Sequence, residues 1–98
     1  MMYLAVFFGG RTAEHDVSII TGTQFIENAD KKKYNIIPVY ISREGLWYTG
    51  KALADAKFYL KPNFAQKGID RVILSPEAGS RELLKKTAFG MKTIAKID

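Results

Sequence analysis

Glu14, His15 and Asp16 stand in a row a few residues after the Gly9-Gly10 pair, three titratable side chains at consecutive positions. Two carboxylates beside a glycine turn repel phosphate and attract a cation, so an ammonium suits this place better than a nucleotide. The same acids could instead serve the fold, by accepting from helix amides and opposing the positive end of a helix dipole. His15 is the sole histidine and cysteine is absent, which excludes a histidine metal cluster, a thiolate site and a disulfide within these 98 residues. No partner for His15 is visible nearby, so it reads as an exposed or capping residue.

The elements around this group follow from hydrophobic patterning. Tyr3 to Phe8 carries no charge and is long enough for a strand buried on both faces. Gly9 and Gly10 permit a tight turn at positive φ. A helix begins between Thr12 and Asp16, either of which can cap it. Ile19, Gly22, Ile26 and Ala29, with Phe25 beside them, form an apolar stripe for packing on a sheet. Glycine costs a helix about 1 kcal/mol against alanine, so Gly22 implies a close approach. Asp30 to Lys33 closes the helix with a solvated basic end.

Asn35 to Ile41 forms the second strand, with Pro38 placing it at a sheet edge or making it irregular there. Ser42 to Gly45 turns, and Leu46 to Tyr48 returns as the other arm of a hairpin, with Trp47 in a packing role. Further on, Lys51 to Lys57 reads as two helical turns. Phe58 to Lys67 has no clear period, and Pro62-Asn63 marks a loop. Arg71 to Ser75 alternates as a strand, ended by Pro76 and by a turn at Ala78-Gly79-Ser80. Arg81 to Thr87 reads as one or two helical turns, and Phe89 to Asp98 has no single reading.

The composition, 47% hydrophobic and 12% aromatic, fits one small folded domain. The apolar run that begins the chain stops at Gly9 and lacks a basic lead, so it is neither a signal peptide nor a membrane span. A cytoplasmic protein is expected. The net charge of +5 lies in the second half, since residues 1–49 carry five basic and five acidic side chains and residues 50–98 carry ten and five. These lysines are scattered without interleaved aromatics, so the excess reads as solvated surface and not as a nucleic-acid face. The secure parallel strands are too few for a free-standing α/β domain, and Ile94 to Asp98 reads as a lead into a further strand. A piece of a longer protein is expected.

Three readings of Gly9 to Ser18 compete. A dinucleotide site needs glycines at spacings that this segment lacks, and a P-loop needs Gly-Lys-Ser/Thr. The second reading is the structural service described above. The third places a carboxylate at the carboxyl end of the first strand, where open α/β sheets bind ligands, facing an ammonium.

Val6 to Ser18 resembles the amino-terminal signature of the D-alanine–D-alanine ligases. In that family an apolar strand leads into Gly-Gly-x-Ser/Thr-x-Glu-x-x-Val-Ser, matched here by Gly9, Gly10, Thr12, Glu14, Val17 and Ser18. The resemblance extends through a Tyr-x-Ile-x-Pro-like strand (Tyr34 to Val39) and a Gly-x-Trp hairpin (Gly45 to Trp47), with a weaker echo at Leu74-Ser-Pro76.

The resemblance implies an α/β, Rossmann-like (pre-ATP-grasp) domain over residues 1–98. Its sheet would be mainly parallel and flanked by helices, with the first strand central, the second beside it and a hairpin appended. The whole enzyme would be an ATP-grasp ligase of cell-wall peptidoglycan synthesis, joining two D-alanines through an acyl phosphate, with ATP and Mg2+ (or Mn2+). Those cofactors would sit on domains absent from this chain, leaving the chain alone inactive and without a bound cofactor or metal. Glu14 would hold the ammonium of the first D-alanine, as the residue expected to contribute to catalysis, with Val17 and Ser18 also at the substrate. Partners would be D-alanine, the remaining domains and a homodimer mate, with neither nucleic acid nor membrane. A stand-alone nucleotide-binding module or a basic interaction module is the alternative. Whether the second substrate is D-alanine, D-lactate or D-serine is left open.

Overall fold

The computed structural model describes residues 2–75, 81–87 and 90–97. The apolar run becomes β1 (Met2–Gly9), the glycine turn leads into α1 (His15–Asn28), and the chain crosses over to β2 (Tyr34–Ile41), which lies parallel to β1 with Phe8 opposite Tyr40. A hairpin turn at Ser42 to Gly45 then returns the chain as β3 (Trp47–Thr49), antiparallel to β2. Two 3-10 helices, Lys51–Ala54 and Ala56–Leu60, follow. The described chain ends in the antiparallel strands β4 (Asp70–Leu74), β5 (Glu82–Thr87) and β6 (Gly90–Lys96).

The sheet order is β1-β2-β3-β4-β5-β6, which corrects the expected architecture. Among the described residues the single parallel pairing is β1–β2, and the other four are antiparallel. Among the described residues β1 stands at the end of the order, not in its centre. A single α-helix among the described residues covers one face, and β1 is not buried on both sides: Phe8 is 3% exposed, whereas Tyr3 and Phe7 are each 41% exposed.

Strand alternation builds two small cores. On the helix side, Phe8 and Tyr40 meet Ile19, Ile26 and Leu53. On the other side Val39, Val72 and Leu83 pack together, with Trp47 and Ile97 against them. Trp47 has the expected packing role and sets its ring edge-on to Phe7, centroids 5.0 Å apart. The helical stripe holds at Ile19, Gly22 and Ile26, but Phe25 is exposed. A Cβ on Gly22 would lie 2.6 Å from the Phe8 Cβ. Overpacking of that kind costs about 1–3 kcal/mol, more than the helix would gain from alanine.

Three local expectations change. Pro38 lies inside the sheet, opposite Val6, yet the β2–β3 ladder spans only Val39 to Ile41, so its missing amide falls where β3 has ended. The expected helix over Lys51 to Lys57 is divided, because the Asp55 carboxylate accepts from the Lys57 amide at 2.9 Å and starts a second turn that runs on to Leu60. Arg81 to Thr87 is not helical. Leu74 pairs with Leu83 and Val72 with Lys85, so sheet pairing outweighs the helix preference of Leu, Glu and Lys. Within the segment that has no single reading from sequence, Gly90–Lys96 forms β6. The turn expected at Ala78-Gly79-Ser80, with Pro76 before it, lies outside the described residues.

Lys31 also does more than solvate the end of α1. Its ammonium donates to the carbonyls of Ile26 (2.8 Å) and Glu27 (2.9 Å) in the last helical turn, the former also accepting from the Ala29 amide at 3.4 Å.

Candidate functional site

Both glycines of the turn adopt positive φ, +90° at Gly9 and +103° at Gly10. Their amides are committed within the fold. The Gly9 amide donates to the Ser18 hydroxyl oxygen at 2.9 Å, and the Gly10 amide donates to the Ile41 carbonyl at 2.8 Å. A phosphate cradle needs such amides unpaired and convergent, so this junction does not fit a nucleotide phosphate. Ser18 thereby closes the junction, and that bond leaves its hydroxyl proton unused.

The helix starts one residue after Glu14, whose carbonyl accepts from the Ser18 amide at 2.8 Å. Neither Thr12 nor Asp16 caps it through a side chain, contrary to expectation. Thr12 contributes its backbone carbonyl, which accepts from the His15 amide at 3.2 Å, and Asp16 lies inside the first turn. The Glu14 side chain is exposed and makes no hydrogen bond or ion pair among the described residues. Glu14, Val17 and Ser18 come together along one groove between β1 and α1, of about 380 Å³, which Phe8, Thr21 and Phe25 also line. Val17 is 61% exposed there.

The two acids therefore have different roles. Asp16 accepts from His15 Nδ1 at 3.0 Å and from the Arg43 guanidinium at 3.0 Å. The hydrogen bond from His15 holds the Asp16 carboxyl below the usual aspartate range against slight desolvation, with the Arg43 charge helping. An ionised Asp16 makes Nδ1 the protonated ring nitrogen, so Nε2 of a neutral ring accepts the hydroxyl proton of Tyr40 at 2.7 Å.

His15 is 5% exposed, not a surface or capping group. Its ring also stands edge-on to Tyr40, at 5.5 Å between centroids. Burial raises the Tyr40 hydroxyl above the usual tyrosine value, although the Arg43 charge opposes it. Nothing local in the sequence announces this cluster, because Tyr40 is 25 residues from His15 and Arg43 is 27 from Asp16. The readable signal was the pairing of β1 with β2, which carries Tyr40 to the foot of α1.

This carboxylate carries a pH dependence of known sign. A group with a depressed folded pKa adds stability above its unfolded pKa, and that stability is lost as pH falls through the folded value. Asp16→Asn should therefore lower the melting temperature at neutral pH, and the gap from the parent should close as the pH falls below the ordinary aspartate range. Melting curves across that range check it, and a gap that stays constant would contradict the tie.

Fold and site together define an α/β domain that presents an uncommitted acid at the carboxyl end of its first strand. Residues 3–96 match the family model described as the D-ala D-ala ligase N-terminus. The chain belongs to this D-alanine–D-alanine ligase amino-terminal family. It is 37% identical over 92 residues to the D-alanine–D-alanine ligase of Thermosipho melanesiensis, covering 94% of this chain and 25% of that protein. It is 36% identical over 87 residues to D-alanine–D-alanine ligase A of Brucella suis, covering 81% and 24%. Among solved structures it resembles the VanG D-Ala:D-Ser ligase from Enterococcus faecalis, with a TM-score of 0.75 and 26% identity over 99% of this chain and 27% of that one. The D-alanine–D-alanine ligase from Helicobacter pylori shares the fold, with a TM-score of 0.67 at 21% identity over 98% of this chain and 27% of that one. The chain thus spans about a quarter of the length of these relatives.

Proposed function

We propose that this chain is the amino-terminal substrate-binding domain of an ATP-dependent ligase that makes D-alanyl-D-alanine for peptidoglycan, in the cytoplasm. The observation that carries this reading is the division between the two acids: Asp16 is held by His15 and Arg43, while Glu14 lines the β1–α1 groove and its side chain has no partner among the described residues. Glu14 holds the ammonium of the first D-alanine in a charge-assisted contact. Val17 sets an apolar wall beside the substrate, and Ser18 keeps the glycine turn closed beneath it. In the proposed reaction the carboxylate of the first D-alanine is phosphorylated by ATP, and the amine of the second displaces phosphate from the acyl phosphate. This domain's contribution is positional, since ligation requires two small molecules held at attack distance.

The Gly9 and Gly10 amides are used inside the fold, which supports the reading that ATP and its Mg2+ (or Mn2+) are held by the remaining domains of the ligase. Among the described residues no helix is long and apolar enough to cross a membrane. The test is an assay of the complete ligase and of this 98-residue chain with ATP, Mg2+ and D-alanine. The complete ligase is expected to release phosphate only when D-alanine is present and to form the dipeptide, and the isolated chain to do neither. Absence of D-alanine-dependent phosphate release by the complete ligase would overturn the reading.

A further inference from the structure

Glu14, which bears the proposed ammonium-binding carboxylate, is the residue just before α1, yet among the described residues no side chain caps that helix end and Glu14 makes no side-chain bond that would hold it in place. What secures the turn must act through its neighbours. His15, the next residue, is buried, and both of its ring nitrogens are bonded, Nε2 to the Tyr40 hydroxyl on β2 and Nδ1 to Asp16. Asp16 continues to Arg43 in the hairpin turn.

We propose that the buried hydrogen bond between His15 and Tyr40 sets the position of the Glu14 carboxylate, making both of them positioning residues for the first D-alanine. The proposal rests on the reading of Glu14 as the ammonium holder. Of the two links, the one to Tyr40 matters more. The Asp16–Arg43 pair is exposed on both sides, at 79% and 57%, where screening by water and salt weakens ion pairs. The His15–Tyr40 bond is shielded, and Tyr40 is itself fixed by stacking on Phe64, with centroids 5.2 Å apart and planes within 9°.

The test uses the complete ligase, comparing Glu14→Gln with His15→Leu, His15→Gln and Tyr40→Phe. A single hydrogen bond of this kind corresponds to roughly a 2- to 10-fold change in affinity. His15→Leu and Tyr40→Phe are each expected to raise KM for the first D-alanine by that factor, with a smaller fall in kcat and no change in KM for ATP. The double variant should be no worse than the poorer single one, because both remove the same bond. His15→Gln, whose amide oxygen can accept from Tyr40, should recover most of the affinity. Amide hydrogen exchange over residues 14–18 should quicken in Tyr40→Phe.

If Glu14→Gln leaves KM for the first D-alanine unchanged, the reading of Glu14 fails and the positioning role fails with it. If Glu14→Gln raises that KM while His15→Leu and Tyr40→Phe do not, the positioning role alone is overturned. A parallel loss in every kinetic constant, or unchanged exchange over 14–18, would likewise reduce the bond to a general structural one.

Discussion

In the complete ligase, Glu14→Gln is expected to lower kcat/KM for the first D-alanine by roughly 10- to 150-fold. Glutamine keeps the length and an acceptor oxygen, so the groove beside Val17 and Ser18 retains its shape. What disappears is the charge opposite the ammonium. Charge-assisted hydrogen bonds contribute about 1.5–3 kcal/mol, which gives the stated range. The loss should fall mainly on KM, since the ammonium keeps its charge through the reaction and is bound alike in ground and transition states. Steady-state kinetics with varied D-alanine check this, and an unchanged kcat/KM at the first site would defeat the assignment.

Gly9→Ala should damage the fold strongly. Gly9 sits at φ +90°, a region that side-chain-bearing residues rarely enter, and a Cβ there would collide with the backbone carbonyl oxygen of Ile41. Neither the strand nor that carbonyl can step aside cheaply, since the same oxygen accepts from the Gly10 amide. Backbone strain of about 1–3 kcal/mol and overpacking of about 1–3 kcal/mol together give roughly 2–6 kcal/mol. A small domain holds about 5–15 kcal/mol in all. Gly10→Ala is the control. Its φ of +103° carries similar strain, but nothing lies within 4 Å of the added carbon, so about 1–3 kcal/mol is expected. Urea denaturation followed by far-ultraviolet circular dichroism compares the two. Equal losses would show that the approach to Ile41 is not what matters.

The strand–glycine–helix–strand unit could be read from sequence because each part has a local cause: an uncharged run, two adjacent glycines, and apolar residues at helical spacing. The close packing at Gly22 was legible for the same reason. The sheet direction was not. Glu82-Leu-Leu-Lys-Lys is a helix former by preference, and it becomes β5 only through its pairings with β4 and β6. At the site, the residue types disclosed two acids at the junction but not their difference. The family signature singles out Glu14, but the physical reason that Asp16 is committed lies in Arg43 and His15 with Tyr40, which the fold brings together from far along the chain.

The ring contact between Phe7 and Trp47 gives the chain an optical property of its own. Trp47 is the one tryptophan, half-buried on β3 and edge-on to a side chain of β1. Tryptophan emission therefore comes from a single place, the contact between the hairpin and the side chain of Phe7 on the first strand. Arg43, in the turn of that hairpin, is joined to the start of α1 through Asp16. The chain thus carries an intrinsic fluorophore close to the junction on which its proposed chemistry depends, and a rearrangement there can be watched without attaching a label.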